Sequence, residues 1–184
     1  MRNNRTSTAR QRTARTLLAA AVIAYLVAGC GAPTAPEPSF DPPSAGPAET
    51  LETYTAVRDD IVAALTSLDP ATPWETNGLP NLSEDGSTCT LMMANSGSQQ
   101  YLYTGNGADD DDDFTAVRVA LDPVLERHGF TPLGLTEFTG PSVDVASTDA
   151  IGAELVISSS QYSVVRMNAP VLSPTCESAE LGIP

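Results

Sequence analysis

Apolar side chains recur at Leu51, Tyr54, Val57, Ile61, Val62, Leu65 and Leu68, a spacing that places them on one face of an α-helix. Asp69-Pro70 ends the pattern, because proline lacks a backbone N–H and restricts the residue before it. A second helical stripe runs through Phe114, Val117, Leu121, Val124, Leu125 and His128, and Gly129 stands where a left-handed residue would stop it. Pro123 lies inside this stripe and is expected to kink or split the helix. Between the two stripes the runs are shorter. Residues 88–93 and 99–104 read as strands, paired as a hairpin through a turn at Asn95-Ser96-Gly97, with Trp74 in the Pro/Gly/Asn-rich loop before them. After Gly129, residues 131–138, 142–147, 153–158 and 163–168 are short, alternating and rich in Val, Thr and Ile, and Ser159-Ser160-Gln161 turns the last pair. The order predicts an α+β fold: two helices packed on one face of an antiparallel sheet of about four to six strands.

The N-terminal pattern is of another kind. Residues 17–27 form an unbroken apolar run, preceded by Arg2, Arg5, Arg10, Arg12 and Arg15 and followed by small residues, the layout of a secretory signal. The run is too short for the roughly 20 apolar residues that cross a bilayer. Val27-Ala28-Gly29-Cys30 resembles the lipobox of bacterial lipoproteins, in which a cysteine sulfur takes a diacylglyceryl group as a thioether and a small preceding residue fits a narrow peptidase subsite. Valine stands where leucine is commoner. Two acyl chains anchor stably because each buried methylene contributes about 0.8 kcal/mol. No Arg-Arg pair is present, which favours the general secretory route over the twin-arginine one. The expected organisation is a removed signal over residues 1–29, a lipidated Cys30 with a Pro-rich tether over 30–48, and a globular domain over 49–184. The tether carries six of the fifteen prolines and could span about 50 Å at the polyproline rise.

Charge sharpens this picture. Every basic residue is an arginine, five of the nine precede the apolar run, and no acidic residue does, so the chain from Cys30 onward carries four arginines against 23 acidic residues. Such a surface repels nucleic acid and anionic headgroups, leaving the membrane to be met through lipid on Cys30. The expected address is the extracytoplasmic face of the cell membrane. That compartment is oxidising, and once Cys30 carries lipid the even remainder, Cys89 and Cys176, reads as a disulfide.

Candidate chemistry is sparse. The sole histidine, His128, belongs to a helix C-terminus, where partial positive charge is favourable, and no Gly-x-Ser-x-Gly elbow accompanies it. One histidine and two separated cysteines lack zinc-site spacing. The run Asp109, Asp110, Asp111, Asp112 and Asp113 could gather calcium, yet it lacks the alternation and distal Glu of an EF-hand loop, and carboxylates commonly collect at a helix N-terminus. Tyr101 and Tyr103 share one side of their strand, where such a pair either packs across the sheet or contacts a glycan or partner protein. Met92-Met93 reads as core filler.

Taken with the lipobox, the first helix, Trp74 before Cys89, the Asp113-Phe114 start ending at His128-Gly129, and the late Cys176, the chain resembles the mycobacterial LppA-like lipoproteins, a group of small actinobacterial surface proteins. The likeness runs from Tyr54 to about Cys176; the long Asp run and Pro123 depart from it. It implies an envelope location and this architecture, and it carries over no catalytic residue. The reading is a non-enzymatic, cofactor-free binding or accessory domain, with an envelope hydrolase and a calcium-responsive surface protein as alternatives.

Overall fold

A computed structural model describes residues 39–86, 88–102, 114–136 and 143–183. They form one compact unit, Pro38–Pro184. The first helix, α1 (Pro47–Leu68), opens with proline in its first turn, where the missing N–H would lack a helical partner anyway. Its stripe buries Tyr54, Val57, Ile61 and Leu65, and the helix ends before Asp69-Pro70 as the pattern requires.

Eight strands make a single antiparallel sheet: β1 (Trp74–Asn77), β2 (Asn81–Asp85), β3 (Thr88–Met92), β4 (Asn95–Ser98), β5 (Gly134–Leu135), β6 (Val143–Thr148), β7 (Glu154–Ser159) and β8 (Ser163–Val171). The order is β1-β4-β8-β7-β6-β5, with β2 beside β3 and β3 also on β8. The count exceeds the expected four to six because two lines are interrupted: β1 breaks from β2 at Gly78, which takes a φ of +84°, and β3 breaks from β4. Met92 pairs with Asn168 and Ser96 with Val165, so four steps along β3–β4 match three along β8, and one extra residue bulges out near Met93. Met93 N still donates to Met167 O at 3.0 Å.

The expected hairpin between residues 88–93 and 99–104 is therefore overturned. Asn95-Ser96-Gly97 has the composition of a turn, but it is strand, bonded to β1 on one side and β8 on the other. The turn lies earlier, at Gly86, where β2 and β3 meet in a segment too polar to read as strand.

One face of the sheet is apolar by alternation: Val143 and Val145 from β6, Leu155 and Ile157 from β7, Val165, Met167, Ala169 and Val171 from β8, with Leu91 from β3, all buried. Helix α1 lies over β8 and β3, and α2 (Thr115–Arg127) packs beside α1, so both helices share that face. The α2 stripe buries Val117, Leu121, Val124 and Leu125. Pro123 does not split it. The helix runs on because proline faces solvent, and the carbonyl it leaves unbonded belongs to Val119, itself 72% exposed, where water can satisfy it. At the C-terminus Gly129 takes a φ of +78°, Phe130 N donates to Leu125 O and Gly129 N to Glu126 O, the double bond pattern that closes a helix on glycine.

His128 Nε2 lies 2.9 Å from Asp60 Oδ2, and Arg127 reaches the same oxygen at 3.2 Å, tying the end of α2 to α1. The hydrogen bond from His128, with help from Arg127, holds the Asp60 carboxyl below its ordinary range. A depressed carboxylate stabilises the fold at neutral pH and loses that contribution as pH falls through the folded value. Asp60→Asn should accordingly flatten the acid limb of the melting profile slightly, because the pair is exposed; an unchanged acid limb would remove the tie from the account.

Residues 39–46 of the Pro-rich segment are packed on the unit. Asp41 N donates to Ala150 O, Leu172 N donates to Ala45 O, and the Phe40 ring sits so close to Gly152 that a Cβ there would lie 2.9 Å from it. The chain therefore enters at the end of the sheet where β8 finishes. The same end carries the C-terminal tail, in which Cys176 is joined to Cys89 of β3 and a short 3-10 turn, Ser178–Leu181, buries Leu181.

Candidate functional site

At the opposite end of the sheet, where β8 begins, polar residues replace aliphatic ones on the inner face. Ser96, Ser98, Gln100, Ser159 and Ser163 are all buried, and the last four carry side-chain hydrogen bonds. Gln100 accepts from Trp74 Nε1 at 2.9 Å and donates to Leu65 O at 3.2 Å, while Gln100 N donates to Ser98 Oγ and Ser163 Oγ donates to Gln100 O. Leu102 N donates to Ser159 Oγ. This network straps residues 99–102 across the sheet end. Gln100 and Leu102 point inward at 5% exposure each, so alternation turns Tyr101 out, to 56%. Gln100→Leu keeps the size and strands the Trp74 N–H and the Leu65 carbonyl; we expect a loss of about 2 kcal/mol in denaturant unfolding. A loss under about 0.5 kcal/mol would contradict this role.

The outer side of the same end carries a groove. Across the strands Glu75 faces Gly97, and Gly97 faces Val164, which makes a floor with one missing side chain at its centre. Thr72, Pro73, Asn77 and Gln99 form the walls with Tyr162, and the depression encloses about 300 Å3. Tyr162, set in the β7–β8 turn and 55% exposed, divides it from a second depression of about 420 Å3 bounded by Tyr101, Ser160 and Gln161. The result is a two-lobed groove with exposed phenol rings, amides, hydroxyls and one carboxylate. Among the described residues its lining holds no lysine, arginine, histidine or cysteine.

Of the candidate side chains singled out by sequence, Tyr101 reaches this groove, and His128, Met92, Met93, Cys89 and Cys176 do not. Cys30, Tyr103 and Asp109, Asp110, Asp111, Asp112 and Asp113 lie outside the described residues. The cap position of α2 is Phe114, whose side chain makes no capping bond. His128 is on the helical side, bonded to Asp60. Met93 fills the core as expected, but Met92 does not: it is 42% exposed on the outer face, since neighbours along a strand point to opposite sides. Tyr162, Glu75, Asn77 and Gln99 escaped notice. The one available signal was an aromatic residue directly after a polar turn, Ser160-Gln161-Tyr162.

Among the described residues no helix is long and apolar enough to cross a membrane, and no group of three or more His, Cys, Asp or Glu is arranged to hold a metal. No family model and no curated protein matches the sequence. Among solved structures, the chain is similar to a DUF4853 family protein from Actinomyces odontolyticus, at 10% identity and a TM-score of 0.51, covering 78% of this chain and 79% of that one. It is also similar to LppA, a proposed lipoprotein of Mycobacterium tuberculosis, at 11% identity and a TM-score of 0.48, covering 76% of this chain and 83% of that one. The chain shares the α+β fold of the Actinomyces protein, and at 10% identity the likeness extends to the fold alone.

Proposed function

We propose that the protein is a lipid-anchored domain of the bacterial cell envelope, held through Cys30, which binds a ligand in the Tyr101–Tyr162 groove rather than transforming one. The observation that carries this reading is the placement of the groove relative to the point where the chain enters. The segment from Phe40 to Ala45 meets the sheet beside Ala150 and Leu172, and the groove lies at the Ser160–Ser163 end. Strand β8 runs from one to the other, a distance of about 26 Å at the antiparallel rise. A tether attached at one end leaves the other end free to meet a ligand. The lipobox residues supply the tether's anchor, and the acidic surface keeps the domain off anionic headgroups. Binding fits the lining better than catalysis does, because Glu75 is its one carboxylate and, among the described residues, no histidine, lysine or cysteine lines it to activate the Ser160 or Thr72 hydroxyl.

The test is a photo-crosslinking residue placed in intact cells at Gln161, in the groove, or at Glu154, near the entry end. The Gln161 probe should give a discrete crosslinked species, read by mass spectrometry, that the Glu154 probe does not. Equal or absent crosslinking at the two positions would contradict the proposal.

A further inference from the structure

We infer that the ligand of this groove is a neutral hexose oligomer; the inference rests on the reading of the domain as a binding module and names its ligand class. The rings come first. Tyr54, Phe114 and Phe130 are buried at 6%, 1% and 5%, whereas Tyr101 and Tyr162 stand more than half exposed on the same depression. A sugar ring presents an apolar C–H face that lies against an aromatic ring, and a rim of hydroxyls that each need both a donor and an acceptor. The lining matches that rim. Asn77, Gln99 and Gln161 carry amides, which donate and accept together, Thr72 and Ser160 carry hydroxyls, and Glu75 accepts.

Size and shape agree. The two lobes of about 300 and 420 Å3 fall in the range of ligand sites, and they adjoin at Tyr162, so a chain of sugar units fits better than a single compact molecule. Gly97 adds no side chain to the floor, where Val164 is its apolar neighbour and the Asn77 amide lies within van der Waals reach. Charge selects among glycans. The lining carries a carboxylate and no cation, and the chain is strongly acidic, so sulfated or uronic acid chains are repelled. The bonds of Gln100 to Ser98 and Ser163 and of Leu102 N to Ser159 Oγ fix the backbone on both sides of Tyr101 before any ligand arrives, which lowers the ordering cost of binding.

The experiment is calorimetric titration of the full-length protein, in a detergent without a sugar headgroup, with three glucose hexamers that differ only in linkage: maltohexaose, cellohexaose and laminarihexaose. Heparin hexasaccharide is the anionic control. At least one neutral hexamer should bind saturably; Tyr101→Ala and Tyr162→Ala should each weaken it tenfold or more, and Tyr162→Phe, which keeps the ring, less than threefold. The melting temperature of each alanine variant separates a lost ligand contact from a lost fold. Binding of none of the three, preference for heparin, or equal binding by the alanine variants would overturn the inference. A Gln161 crosslink to a protein without hexamer binding would sink the glycan and leave the binding module standing. Neither crosslink nor hexamer binding would remove both.

Discussion

Cys89→Ala and Cys176→Ala should each destabilise the domain by about 4 to 5 kcal/mol, the chain-entropy value for a bridge that closes a long loop. The two residues are 87 apart in sequence and joined between β3 and the C-terminal tail. That is a large share of the 5 to 15 kcal/mol a domain retains. It corresponds to a fall in melting temperature of roughly 10 to 20 °C for a chain of this size. The bridge also holds the segment that carries Leu181, 3% exposed, against α1 and β2, so its loss should expose the tail to protease first. The double variant should melt with the singles, because one bridge is lost in every case. Thiol counting on the denatured, lipidated protein should find none before reduction and two after it. Two reactive thiols before reduction, or single variants melting within about 2 °C of the wild type, would contradict the bridge.

Most of the scaffold was legible because its elements bury one face and expose the other. The stripes from Leu51 to Leu68 and from Phe114 to His128 announce α1 and α2 through their period, Gly129 marks its own left-handed stop, and the alternation of Val143, Val145, Leu155, Ile157, Val165 and Met167 announces β6 to β8. Strands β1, β2 and β4 were not legible, for a physical reason. Trp-Glu-Thr-Asn in β1 has no buried residue to alternate, and the Asn-Ser-Gly-Ser of β4 buries two serines, Ser96 and Ser98, in place of aliphatic residues, with the Ser98 hydroxyl donating to Pro73 O. Pro123 misled in the other direction, since a proline's cost depends on whether the freed carbonyl faces protein or water. The candidate site was half legible. Tyr101 stood out on its own segment, but Tyr162 and Glu75 come to the same sheet end only through the pairing of β1, β4 and β8, which joins residues far apart in sequence.

Replacing Cys30 by serine should abolish lipidation outright and leave the precursor uncut, the largest chemical effect expected of any single change. The serine hydroxyl is a far weaker nucleophile than a thiolate and offers no sulfur for a thioether, so the diacylglyceryl group cannot attach, and a peptidase that recognises the lipidated cysteine has no substrate. The acidic domain is itself repelled by anionic headgroups, so its hold on the membrane is expected to come from the N-terminal segment. The direct measurement is metabolic labelling with an alkyne fatty acid, read together with the mass of the N-terminal peptide. The wild type should incorporate label and begin at a diacylglyceryl-modified Cys30; Cys30→Ser should carry no label and keep residues 1–29. Label retained in Cys30→Ser, or a wild-type peptide that runs uncut through Gly29 and Cys30, would contradict the account.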